Sequence, residues 1–238
     1  MRIGVVCEGP TDFLAISTFL AHSLINRGVD ADFVDVQPEL DVTSANSGGG
    51  WANALSWLQA NPLAARRSAY LGPGLFGGSL AAKRCDYLLI QIDSDVLDDV
   101  GFKNYVSSRI IHALAATLKP AERYLEAQLI LLEFSGFKDI TEALSERHFI
   151  SPVVENSETW CAAARAPDIF NIEALDKVSI ASELNIRLSA FEAGTPRAGT
   201  LKNVMRRKGY CDGHAAEFER VEAFCPHYLV LVEMIANA

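Results

Sequence analysis

Residues 86–95, DYLLIQIDSD, restrict the fold more than any other stretch of this chain. Successive side chains of a strand point to opposite faces, and here both sets are apolar from Leu88 to Ile92 apart from Gln91. A strand that buries both faces needs a packed layer on each side of its sheet, as a central strand of a parallel α/β sheet has. The neighbouring segments fit that requirement. RIGVV (2–6) reads as a second buried strand, TDFLAISTFLAHSLINRG (11–28) as a helix stopped by Gly28, and DADFVDVQP (30–38) as an alternating strand. A helix follows from Trp51 to at least Gln59, with Pro62 marking a break, and the glycine-rich stretch 72–84 reads as a loop. A helix over about 103–118 then leads to AQLILLEF (127–134), read as a fourth strand. Strands alternating with helices define an α/β class with a parallel sheet flanked by helices.

Beyond Lys138 the pattern is mainly helical, FISPVVE (149–155) being the exception, as an edge strand or a long loop. Residues 1–135 are therefore expected to form the α/β core and 136–238 a mainly helical part packed on it, together one globular unit. Half of the 238 residues are hydrophobic and 21% are charged, which supplies a sizeable core and excludes a disordered chain.

No apolar run reaches the length of about 18 residues that a membrane span requires. The apolar IGVV is interrupted at Glu8, too early for a signal peptide. Five cysteines (Cys7, Cys85, Cys161, Cys211, Cys225) form an odd, widely spaced set without a C-x-x-C pair, so reduced thiols and a cytoplasmic setting are expected. The formal charge of −9 weighs against a binder that neutralises many phosphates with Lys and Arg. It does not weigh against a site that brings metal ions to a few phosphates through carboxylates.

Acids follow two of the strands. Glu8 comes directly after RIGVVC, and Asp93 and Asp95 end DYLLIQIDSD two residues apart, on one face if the chain stays extended. In a parallel sheet all three share the carboxyl edge, where open α/β sheets bind ligands. Three carboxylates gathered there repel one another unless protonated or bound to a cation, which points to Mg²⁺ or Mn²⁺. Each also has a plainer reading: Gly9 and Pro10 turn the chain, Thr11 or Asp12 caps the helix, and Glu8 is a solvated loop carboxylate. Asp98 and Asp99 read as solvated acids opening the next helix.

The pair VVCEGPTD and, some eighty residues later, LLIQIDSD resembles the TOPRIM fold shared by topoisomerases, DnaG-type primases, OLD-family nucleases and small maturation ribonucleases. The E-G-x-T-D form of the first motif resembles small stand-alone TOPRIM-like proteins of the DUF4276 and OLD-nuclease type, and ENSETW matches their acid-and-tryptophan element through Glu158 and Trp160. LKNVMRRKGY is a partial match through Lys202 and Tyr210, but no lysine follows Tyr210. The resemblance implies a Rossmann-like sheet and Mg²⁺- or Mn²⁺-dependent phosphodiester hydrolysis of DNA or RNA, with a partner protein such as an ATPase as companion. Glu8, Asp93 and Asp95 would be catalytic, and the same three with Glu158 would hold metal. Gly9, Thr11, Lys202 and Arg206 would contact the substrate.

Two other readings stay open here. A TOPRIM-like scaffold without catalysis would keep the fold and leave nucleic-acid affinity to a partner. DSDVL also resembles the D-x-D signature of haloacid-dehalogenase-type phosphatases, although that motif belongs to the first core strand and no G-D-x-x-x-D follows. The glycine stretches lack the G-K-[ST] of a phosphate loop. Trp51 and Trp57 read as packing anchors, and His112, His214 and His227 show no ligand spacing.

Overall fold

The computed structural model describes residues 1–37, 50–72, 83–109, 118–165, 171–189 and 203–238. Four strands, β1 (Arg2–Val6), β2 (Asp32–Gln37), β3 (Tyr87–Ile90) and β4 (His148–Ile150), form one sheet in the order β2-β1-β3-β4. Every pairing is parallel. The expected α/β class is therefore present, with β3 between β1 and β4 as its apolar pattern requires.

Alternation along the strands divides the interior in two. Ile3, Val5, Leu89 and Phe149 face one layer, and Val6, Leu88, Ile90 and Ile150 face the other. The first layer holds α1 (Pro10–Asn26) and the C-terminal helices α7 (Glu158–Ala163), α8 (Lys177–Ser189), α9 (Val204–His214), α10 (Phe218–Phe224) and α11 (Pro226–Ala236). The second holds α2 (Trp51–Ala60), α4 (Val100–Ser107) and α5 (Pro120–Ser135), with α3 (Leu63–Ala69) and α6 (Ile140–Ser145) beside them. Trp51 packs on Phe102 at 5.2 Å and Trp57 on Tyr70 at 5.4 Å, both as packing anchors. Gly4 sits at the crowded centre: a Cβ there would lie 2.9 Å from Cys85, Leu88 and Val36 side-chain atoms.

One expected strand is a helix. AQLILLEF lies inside α5, where Tyr124, Ala127, Ile130 and Leu131 are buried at helical spacing while Leu125 and Leu129 face solvent. An apolar run of eight residues fits either structure, and its flanks decide. Pro120 opens the helix, the Glu122 carboxylate accepts from the Lys119 N–H at 2.8 Å, and Gly136 closes it at φ 78°. The fourth strand comes instead from HFI (148–150), at the start of the extended piece expected over 149–155, so the sheet draws on both sides of residue 135. Thr11 and Asp12 do not cap α1 either. Gly9 occupies that position with Pro10 next, and the Asp12 side chain is engaged elsewhere, by the Ser157 hydroxyl. Part of the helix expected over 103–118, the loop at 72–84, His112 and Lys202 lie wholly or partly outside the described residues.

Candidate active site

Where β1 and β3 end, their chains remain linked. The Gln91 N–H donates to the Val6 carbonyl at 2.9 Å, and Asp93 pairs with Val153 beyond β4. Glu8 and Asp93 are thereby placed side by side, and the Asp93 N–H donates to Glu8 Oε1 at 2.8 Å. After Asp93 the chain turns into a short 3₁₀ segment, Ser94–Asp98. The extended geometry that would align the D-x-D acids therefore ends at Asp93, yet both acids still face the same cavity.

That cavity, about 540 Å³, is lined by Glu8, Gly9, Thr11, Asp12, Asp93, Asp95, Asn156, Glu158 and Lys177 among others. Five carboxylates from β1, α1, the β3 turn and α7 converge on it. Each is held differently. Asp12 is buried and accepts from the Ser157 hydroxyl at 2.5 Å. Asp95 lies 2.5 Å from the Lys177 ammonium and receives the Asn156 amide at 3.4 Å. Glu158 pairs with the fully buried Arg207. Trp160, two residues on, is buried edge-on against Tyr228 at 4.9 Å, which anchors α7 so that Glu158 meets the cavity.

The remaining two acids are the least compensated. Burial, then the charge of Asp12, pushes Glu8 up to about 8, against hydrogen bonds from the Asp93 and Trp51 amides that favour its ionised form. Burial also raises Asp93 well above the carboxylate range, followed by the charges of Asp12, Glu8, Asp95 and Glu158. Such opposed environments mark sites where protons or cations are handled.

The donors are hard oxygens of the kind that bind Mg²⁺ or Mn²⁺. Among the described residues no three His, Cys, Asp or Glu side chains already form a metal-holding group, which agrees with Asp95 being turned to Lys177 and Glu158 to Arg207. The donor chemistry fits a divalent cation, and the two internal cations occupy part of its role.

Several expected residues meet here: Glu8, Gly9, Thr11, Asp93, Asp95 and Glu158 all line the cavity. Arg206 does not. It is exposed on α9, away from the cavity lining, and its neighbour Arg207 is buried against Glu158. Asp99 caps α4 by accepting from the Phe102 N–H at 2.7 Å, and Asp98 pairs with Arg123. Glu155 also turns away, its carboxylate bound by Arg123 at 3.0 Å and its backbone at φ 58°. Three site residues were missed: Asp12, Asn156 and Lys177. Asp12 carried a signal, because it stands four residues after Glu8 and a helix starting at Pro10 returns it to the strand end. Lys177 carried none, since only the packing of α8 brings it in.

Comparison of the chain with protein-family models, with curated proteins and with solved structures finds no match in any of the three. The functional reading therefore rests on geometry and chemistry.

Proposed function

We propose that the protein is a Mg²⁺- or Mn²⁺-dependent phosphodiesterase of TOPRIM type that hydrolyses DNA or RNA. One observation carries the reading: five carboxylates from distant parts of the chain share one cavity at the carboxyl edge of a parallel sheet, and two of them, Glu8 and Asp93, form no ion pair among the described residues. A structural role gives no reason to gather them. In this proposal Glu8, Asp93, Asp95 and Glu158 would hold the metal, with Asp12 adding negative charge behind them. When bound, the ion would supply charge neutralisation at the phosphate and activation of water.

The chain's own groups supply the rest. Glu8, raised to about 8, carries a proton near neutral pH while the site is metal-free and would release it on taking up the ion. Lys177 is the cation among the described lining residues, and its half-exposed ammonium is the group available to a phosphate oxygen. Gly9 keeps the approach open, as a Cβ there would stand 3.2 Å from Asp12 Oδ2.

A scaffold reading draws on the same surface. The lining offers a polyanion one described cation, so a partner protein would provide most of the backbone contacts. The phosphatase reading finds less support, because DSDVL follows β3 rather than β1 and would leave Glu8 idle. The decisive experiment is incubation of supercoiled plasmid and of single-stranded DNA and RNA with Mg²⁺, with Mn²⁺ and with chelator, using the intact chain, Glu8→Gln and Asp93→Asn. Metal-dependent cleavage lost in both variants supports the proposal; metal binding by calorimetry on the same samples without cleavage favours the scaffold; no metal binding overturns the metal-dependent mechanism.

A further inference from the structure

Gln91 is the polar exception in the apolar run from Leu88 to Ile92, and it is fully buried. The chain stays extended from there to Asp93, so by alternation the Gln91 and Asp93 side chains share the Leu89 face of the sheet while Ile90 and Ile92 take the other. On that face Gln91 Nε2 donates to Asp93 Oδ1 at 3.1 Å, and the Gln91 carbonyl oxygen Oε1 is buried with no hydrogen-bond partner among the described residues. The arrangement recurs, more loosely, on the second acid of the pair. Asn156 Nδ2 reaches Asp95 Oδ2 at 3.4 Å, and Asn156 Oδ1 is likewise buried and unpartnered among the described residues. Each acid of the D-x-D pair is thus met by one carboxamide, nitrogen first.

Such a group is unfavourable in a core. A buried amide carbonyl without a partner loses its hydration and gains no bond in return, whereas Leu or Met at position 91 would simply continue the apolar run. Packing therefore does not account for Gln91. Orientation does. Only the amide nitrogen can face an ionised carboxylate, because that acid accepts and cannot donate. Asp93 Oδ1 is held from inside the sheet by Gln91, and the Asp93 N–H is held by Glu8 Oε1, so the carboxylate is fixed in rotation and Oδ2 is left to the cavity that Asp93 lines.

We propose that Gln91 is a positioning residue: it sets the direction in which Asp93 presents its second oxygen to a divalent cation, and so adapts the site to a small ion of strict geometry. This rests on the metal-binding reading of the cavity given above. Mg²⁺ demands near-ideal octahedral ligands at about 2.1 Å, while Ca²⁺ accepts about six to eight oxygens at roughly 2.3–2.6 Å in flexible arrangements. A carboxylate released to rotate stays an adequate ligand for Ca²⁺ and becomes a poor one for Mg²⁺. Gln91 touches neither ion nor substrate and acts through Asp93.

The test is calorimetry with Mg²⁺ and with Ca²⁺ on the intact chain, on Gln91→Met and on Gln91→Asn, with circular dichroism of each metal-free protein to establish its fold. Met keeps the length of Gln and removes both amide atoms; Asn keeps the amide but is one methylene too short to reach Asp93, and it carries the test if the Met variant does not fold. Outer-shell contacts are worth about 10–100-fold in metal affinity, so both variants should bind Mg²⁺ at least about tenfold more weakly, with Ca²⁺ affinity changed by less than about twofold. A packing role would not separate the two ions. Equal losses for both ions, or unchanged Mg²⁺ affinity in the folded variants, would overturn the proposal while leaving the metal reading in place. An intact chain that binds neither ion would overturn the metal reading and this proposal together.

Discussion

The backbone N–H of Asp93 donates to the carboxylate of Glu8 across 85 residues of sequence, at 2.8 Å. This bond orients Glu8 and keeps it beside Asp93, whose own carboxylate it cannot neutralise. The two acids are thus fixed together by the backbone and driven apart only by charge, and a proton or a cation relieves that conflict.

Glu8→Gln keeps a carbonyl oxygen that can accept from Asp93 and removes a charge from a crowded site. The variant should fold, and it should be at least as stable as the parent at pH 8 without metal. Its Mg²⁺ or Mn²⁺ affinity, measured by calorimetry, should fall by more than about 100-fold, beyond what outer-shell changes usually cost. Unchanged affinity would remove Glu8 from the site.

The metal-free protein should lose stability as pH rises toward 8. Glu8 is raised in the folded state from 4.5 to about 8, and Asp93 shifts in the same direction. The folded chain therefore holds protons that the unfolded chain releases, so this contribution is complete below about 4.5 and is lost as pH rises through about 8. Thermal unfolding in chelator from pH 6.5 to 9 should show a falling Tm, a shallower fall in Asp93→Asn, and proton release when Mg²⁺ is added.

Acid should unfold the protein from another place. His148, fully buried in β4, accepts from Arg66 Nε at 3.1 Å, and burial followed by the Arg66 charge lowers its pKa to about 4. Here the sign reverses: the contribution is present above about 6.5 and is lost as pH falls through about 4. Arg66→Met should shift this acid transition to a different midpoint in a circular-dichroism titration, without altering the slope above pH 7.

Lys177→Met should strengthen divalent-cation binding by several-fold while the acid variants weaken it. The ammonium competes for Asp95, and its side chain is 61% exposed, so the lost pair costs stability no more than about 1 kcal/mol. If the phosphodiesterase proposal holds, the same variant should cleave more slowly despite binding metal more tightly. Equal metal affinity in parent and variant would mean that Lys177 and the cation do not share Asp95.

Gly4→Ala should destabilise the fold by about 1–3 kcal/mol in urea unfolding, the usual cost of forcing a methyl into a packed core. Three side-chain atoms stand 2.9 Å from the added carbon. Wild-type stability would show that Cys85, Leu88 and Val36 can move aside together.

The sheet was legible wherever both strand faces carried a pattern. Leu88 to Ile92 announced a central strand, and the acids after β1 and β3 announced the edge at which a site would form. AQLILLEF misled because eight apolar residues satisfy a strand and a helix alike, while the information lay at Pro120 and Gly136, outside the run. β4 has three residues and was too short to assert itself over the loop reading. Asp12 was mistaken for a cap because Gly9, without a side chain, performs that duty through its backbone alone. Lys177, Asn156 and Arg207 reach their places through the packing of helices distant in sequence, and no local pattern records such packing. Arg207 in particular stands in a basic run, RRK, and its burial against Glu158 and Cys161 separates it from its exposed neighbours.

The order in which the site's charges occur along the chain has a consequence for how they are balanced. Glu8, Asp12, Asp93 and Asp95 leave the ribosome first, β4 and Glu158 follow, and the two cations that temper them, Lys177 and Arg207, come last. The sheet without the segments after β3 would carry four acids at its carboxyl edge and an open edge on β3, with the two described cations that meet Asp95 and Glu158 absent. The docking of α8 and α9 on the sheet is what brings Lys177 to Asp95 and Arg207 to Glu158, so the charge balance of the cavity is set by helices that contribute nothing to the sheet itself.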